Sequence, residues 1–131
     1  MESRFQFTNP ALVKLTFIVN EEFQRMNTEE INISINLSIS ITKAENKNEA
    51  RVALNLILGE KGSNSPFYIE AVEAADFRWD ECIDKEMVGK LLNQNAPSLL
   101  LSYLRPIITQ MTAASPFDTF NIPFINFTTQ N

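Results

Sequence analysis

Few residues in this chain could do chemistry, and one type is missing altogether: none of its 131 residues is a histidine. Without an imidazole, neither Ser-His-Asp nor Cys-His nucleophilic groups can be assembled, and every histidine-ligated metal centre is excluded. The one cysteine, Cys82, sits in D-E-C-I-D, where acidic neighbours and the lack of a base make it a poor nucleophile. It reads as a structural or bystander residue, and being alone it cannot form an intrachain disulfide. Gly59 and Gly62 lie in L-G-E-K-G-S without the G-x-x-x-x-G-K-S/T spacing that cradles phosphate, so they read as a turn. Glu70 and Glu73 could in principle divide acid and base roles, but in their setting they read as a solvated strand face. No catalytic residue, metal ligand or cofactor is expected.

The bulk properties narrow the remaining classes. A net charge of −5 with no basic stripe cannot release counterions from a phosphate backbone, which disfavours nucleic-acid binding. No stretch approaches the roughly 18 apolar residues of a membrane span, and M-E-S-R-F-Q-F at the start lacks the apolar core of a signal peptide. The expectation is a cytoplasmic protein without direct membrane insertion. At 44% hydrophobic and 21% charged, the chain should fold as a single domain over residues 1–131.

The elements follow from periodicity. Ile31, Ile33, Ile35, Leu37, Ile39 and Ile41 alternate with Asn and Ser, the period of a strand with one buried and one wet face. Ala44 to Glu49 reads as a turn, and Val52, Leu54, Leu56 and Leu58 resume the alternation as the second arm of a hairpin. Gly59 to Pro66 makes another loop, and Phe67 to Trp79 a further strand whose alternation blurs around Ala71 to Ala75, where a bulge is expected. A fourth strand lies upstream between Arg4 and Val19.

Beyond Trp79 the period becomes helical. Ile83, Met87, Leu91 and Leu92 share one face behind an N-terminal carboxylate from Asp80 or Asp84. Pro97 suits the first turn of a second helical segment carrying Leu99, Leu100, Tyr103, Leu104, Ile107, Ile108 and Met111, and Pro106 inside it predicts a kink or a break near Arg105. Pro116 and Pro123 exclude a long helix afterwards, yet Phe117, Phe120, Ile122, Phe124, Ile125 and Phe127 are too apolar for a free tail. Four strands followed by helix predict an α+β fold, an antiparallel sheet with helices on one face.

Several of these stretches resemble the SecB family of protein-export chaperones. N-A-P-S-L-L-L-S-Y-L-R from Asn95 and I-N-F at Ile125 to Phe127 are similar to the family's C-terminal motifs. F-Y-I-E-A-V-E-A-A-D-F resembles its last strand, L-G-E at Leu58 the turn before it, and E-I-N-I-S-I from Glu30 the strand lining its client groove. The resemblance implies a four-stranded antiparallel sheet assembled as a dimer of dimers, a homotetramer that holds unfolded or presecretory polypeptides. By position, Ile31, Ile33 and Ile35 would form the groove floor, and Phe117, Phe120, Ile122 and Phe124 would flank it. Tyr103, Ile107 and Met111 would lie in the oligomer interface. Leu58 and Glu60 would belong to the docking element for the SecA motor, although Lys14 and Ile18 occupy the family's other, acidic docking positions.

Two functions are therefore expected to compete: an ATP-independent holdase with an open groove, and an adaptor that kept the fold but binds one dedicated partner such as an antitoxin. A small-molecule carrier using a pocket between sheet and helix is a third, for which the polar residues select no ligand.

Overall fold

Alternating sequences pair where their apolar faces can share one core, and here they build a single antiparallel sheet. The computed structural model describes residues 4–23, 32–62 and 65–129. Strands β1 (Phe5–Phe7) and β2 (Ala11–Val19) lie end to end along one side of β5 (Phe67–Trp79), followed by β4 (Glu49–Leu58) and then β3 (Ile35–Lys43) at the opposite edge. The expected four-stranded sheet is thus present, with its first strand interrupted before Pro10. Proline has no N–H to give a ladder, and Thr8 bridges the gap: its N–H donates to the Asp76 carbonyl and its hydroxyl accepts from the Asp76 N–H.

The bulge expected in β5 lies instead in β2. The β4–β5 register runs unbroken from Glu49↔Arg78 to Leu58↔Ile69, whereas the β2–β5 register slips between Leu12 and Lys14. Because the side-chain period is two, that slip returns Leu15, Phe17 and Val19 to the same face as Leu12. That face carries Val52, Leu54, Leu56, Leu58, Phe67, Ile69 and Phe77, all buried.

The helical layer covers this face. Asp84 caps α1 (Lys85–Lys90) by accepting the Met87 N–H at 2.8 Å. Instead of two separate segments, a π turn (Leu91–Asn95) joins α1 directly to α2 (Ala96–Ala113). Pro97 cannot donate to the Asn93 carbonyl, and the turn before it widens so that the Ala96 N–H reaches Leu91 O, while the Asn93 side chain satisfies Gly89 O at 2.8 Å.

Helix α2 packs on β4 and β5 through Leu100, Leu101, Leu104, Ile108 and Thr112. The break expected near Arg105 does not occur. Pro106 is exposed, so water can satisfy the carbonyl it leaves without a donor, and the helix continues through it. No helix of the described residues is long and apolar enough to cross a membrane.

Candidate functional site

Strand β3 positions a continuous apolar row that is only partly covered, while the large apolar side chains exposed at the opposite edge of the sheet belong to β1 and β2, among them Phe7, Leu12, Val13 and Ile18. On β4 the alternate side chains are buried; on β3 the same facing row, Ile35, Leu37, Ile39 and Ile41, is only half-buried, as is Ile33 just before it. All five touch the core without being enclosed by it. The cause is topological: β3 is an edge strand, and α2 is seated over β4 and β5. Among the described residues no strand pairs with β3 on its outer side, so the row of half-covered isoleucines lies beside free backbone donors and acceptors.

The segment after α2 runs back antiparallel along that helix, held by a ladder of polar contacts. The Thr112 hydroxyl accepts the Phe120 N–H at 2.9 Å, the Thr109 hydroxyl donates to Asn121 Oδ1 at 3.0 Å, and the Arg105 guanidinium donates to the carbonyls of Ile122 and Pro123. These contacts sort the Phe-rich end. Phe120 packs edge-on against Phe67, which in turn packs against Phe17. Ile122 and Phe127 are buried, Phe117 packs against Phe23, and Phe124 projects with 86% of its surface exposed. Between this loop and α2 lies a recess of about 350 Å³ lined by Leu101, Arg105, Phe124 and Ile125 among others.

The family model described as preprotein translocase subunit SecB matches residues 15–130. The chain belongs to the SecB family. A curated relative, the protein-export protein SecB of Ruegeria pomeroyi, is 21% identical over 98 residues, which are 75% of this chain and 59% of the relative's length. Among solved structures, a SecB-like chaperone of Mycobacterium tuberculosis, in complex with a ChAD peptide from the HigA1 antitoxin, superposes with a TM-score of 0.71. It covers 94% of this chain and 88% of its own at 12% identity. A Streptococcus agalactiae protein of unknown function superposes at 0.54, with 11% identity, over 92% and 97% of the two chains. At these identities the structural likeness concerns the fold.

The sites that SecB resemblance implied are distributed unevenly. Ile31 lies outside the described residues. Ile33 and Ile35 stand on the half-covered row, and Leu37, Ile39 and Ile41 extend it; their alternation was visible in sequence as a strand but not as an uncovered one. Of the four loop residues, Ile122 is in the core, Phe120 packs on Phe67 and Phe117 on Phe23, both partly buried, and Phe124 alone is exposed. The docking pair also divides: Leu58 is fully buried and Glu60 is exposed. On α2, Tyr103, Ile107 and Met111 follow one another at four-residue spacing and are all partly exposed, forming an apolar stripe beside the buried one.

The two carboxylates considered for acid–base work stand on opposite faces of the sheet. Glu70, on the outer face, accepts from Lys14 Nζ at 2.7 Å and from the Tyr68 hydroxyl at 3.0 Å. The Lys14 bond, then that of Tyr68, hold its carboxyl below the usual range, and Lys14 and Tyr68 are correspondingly shifted up. Lys14 thus forms an ion pair with Glu70.

Glu73 corrects the expectation of a solvated face. It is buried on the core side, opposite Leu54 and Leu12, and its Oε1 has no hydrogen-bond partner among the described residues. Burial pushes its carboxyl above the ordinary value. A carboxyl whose folded pKa exceeds its unfolded one costs nothing below the unfolded pKa; stability falls as pH rises through the interval between the two and then levels off. Glu73→Gln is accordingly expected to raise the melting temperature by a few degrees at pH 7 to 8, with the gain fading towards pH 4. Equal gains at both pH values, or a loss at pH 7, would contradict this account.

Proposed function

We propose that this SecB-family chain is a non-enzymatic, ATP-independent chaperone that holds unfolded or presecretory polypeptides along β3. One observation carries the reading: the helix-facing row from Ile33 to Ile41 is half-covered beside an edge that no described strand occupies. An unfolded chain offers what this surface lacks, extended backbone for the edge and scattered apolar side chains for the row. Removing the remaining exposed part of each of these side chains from water contributes on the order of 0.5 kcal/mol, without strict shape demands. Holding needs no nucleotide, because a protein that binds the unfolded state shifts its equilibrium by mass action. Phe124 would extend the surface, and the stripe of Tyr103, Ile107 and Met111 would bury itself in a homo-oligomer, a dimer of dimers. Of the two SecA-docking positions, only Glu60 offers its side chain at the surface.

A second reading is a dedicated adaptor. It is favoured by the Mycobacterium tuberculosis SecB-like chaperone, whose structure holds an antitoxin peptide on a similar fold.

Suppression of light scattering from a chemically unfolded model protein separates the two. The native chain is expected to suppress aggregation at stoichiometric amounts, and an Ile33→Ser, Ile39→Ser variant with an unchanged circular dichroism spectrum to lose most of that effect. Suppression unaffected by the substitutions would remove β3 from the client surface. No suppression by the native chain would leave the dedicated-partner reading.

A further inference from the structure

Glu73 stands beside the weakest wall of the sheet. On the core side of β5 it lies between Leu54 of β4 and Leu12 of β2, only 2% exposed, with no partner for its Oε1 among the described residues. The β4 side is closed, for Val52, Leu54 and Leu56 are fully buried. The β2 side is thin. Leu12 and Leu15, its side chains nearest Glu73 on that face, are 40% and 37% exposed, and no described strand lies outside β2. The β2–β5 register also slips between Leu12 and Lys14, directly after the Leu12↔Glu73 pair. Among the described residues, no cation answers the carboxyl from the elements packed on this face. The ionisable side chains of α2 are Tyr103 and Arg105, and the Arg105 guanidinium is committed to the carbonyls of Ile122 and Pro123. On β2 and β4, Lys14 and Arg51 lie on the outer face, where they pair with Glu70 and Asp76, and Glu49 alternates onto that face with Arg51.

We propose that ionisation of Glu73 releases the first half of β2, residues 11–15, from β5, so that this edge of the sheet is a pH-sensitive latch that opens without unfolding the core. A carboxylate that must reach water from an apolar site takes the path that breaks least. Towards β4 that path crosses the core; towards β2 it needs the loss of a few ladder bonds beside a bulge, where the ladder is already disrupted. Residues 17–19 do not follow, because the Phe17 ring packs on Phe67. The neutral carboxyl keeps the latch closed, and opening returns Glu73 to water and to an ordinary carboxyl pKa. Burial raises the closed-state value. The opening constant is therefore flat below the ordinary value, rises with pH through the interval up to the closed-state value, and then levels off. The other carboxylate linking these two strands acts with the opposite sign: Lys14 holds Glu70 below the usual range, so protonating Glu70 would loosen β2 in acid. Opening bares the β5 backbone at residues 71–74, on the side of the sheet away from β3, and the inference stands apart from the client reading of β3.

Amide hydrogen exchange of the full chain between pH 5 and pH 8 tests this, with every rate referred to its intrinsic value at that pH and repeated at low urea concentrations. Protected amides within residues 11–15 are expected to exchange through an opening far more frequent than the one that exposes residues 52–56 of β4, and nearly insensitive to urea. That opening should become several-fold more frequent from pH 5 to pH 8, levelling off where the Glu73 carboxyl carbon completes its titration by NMR. In Glu73→Gln the opening should persist at one frequency across the range. Exchange of residues 11–15 that is the same at pH 5 and pH 8 in the native chain overturns the proposal, as does a rise that survives Glu73→Gln. So does exchange of residues 11–15 at the frequency and urea dependence of residues 52–56, for then β2 leaves only when the whole sheet unfolds. Greater opening in acid would assign the latch to the Lys14–Glu70 pair instead and equally overturn the role of Glu73.

Discussion

Replacing Phe67 by alanine is expected to lower the unfolding free energy by about 3–5 kcal/mol, the range for truncating a fully buried phenylalanine. Phe67 is 1% exposed and opens β5, where its ring meets Phe17 of β2 on one side and Phe120 of the returning loop on the other. No other aromatic side chain ties the sheet to the Phe-rich end in this way, among the ring contacts of the described residues. The loss should therefore have two parts: a fall in global stability, measured as a lower urea midpoint, and looser attachment of the segment around Phe120. The second part is read by hydrogen exchange at the Phe120 N–H, which the Thr112 hydroxyl accepts. Phe67→Leu keeps most of the volume and should recover more than half of the stability. A midpoint unchanged by Phe67→Ala would mean that this contact is not part of the stable core.

The second large effect belongs to Gly59. It follows β4 with φ +74°, and a Cβ at this position would stand 2.2 Å from the Phe67 carbonyl oxygen, a backbone atom that cannot rotate away. The left-handed conformation alone costs a non-glycine residue about 1–2 kcal/mol. Displacing the start of β5 adds to it, so Gly59→Ala is expected to cost about 2–4 kcal/mol. Gly62 supplies the control, for it has φ +65° and a methyl group there would meet nothing within 4 Å. Gly62→Ala should cost only the conformational part. Thermal melts of the two variants should differ by several degrees; equal melting temperatures would remove the backbone clash as the cause.

Much of the sheet was legible because alternation is a local property. The run from Ile35 to Ile41 and the run from Val52 to Leu58 each declare a strand with one apolar face, whatever they pair with. The helix start at Asp84 was one of two carboxylates the sequence offered, and the Met87 N–H selects it. The bulge was felt at the right level of the sheet but on the wrong strand. Ala71 to Ala75 blur because Glu73 faces the core and small residues flank it, whereas the extra residue sits opposite, in β2. Pro106 announced a break that its exposed position makes unnecessary. Within the Phe-rich end, nothing in the spacing distinguishes buried Ile122 from exposed Phe124, since a loop has no repeat to assign faces; Arg105, Thr109 and Thr112 on another element do so.

The sequence by itself determined the class of this protein. The absence of histidine removed most catalytic designs, the two periodicities set an antiparallel sheet followed by helix, and the motifs from Asn95 to Phe127 pointed to the SecB family. Tertiary structure alone decided which apolar residues remain uncovered. The isoleucines of β3 and the leucines of β4 have the same local pattern, and only the seating of α2 over β4 and β5, with β3 left at the edge, makes one row fully buried and the other partly covered. Burial is fixed by what lies across from a side chain, and that neighbour is distant in the chain.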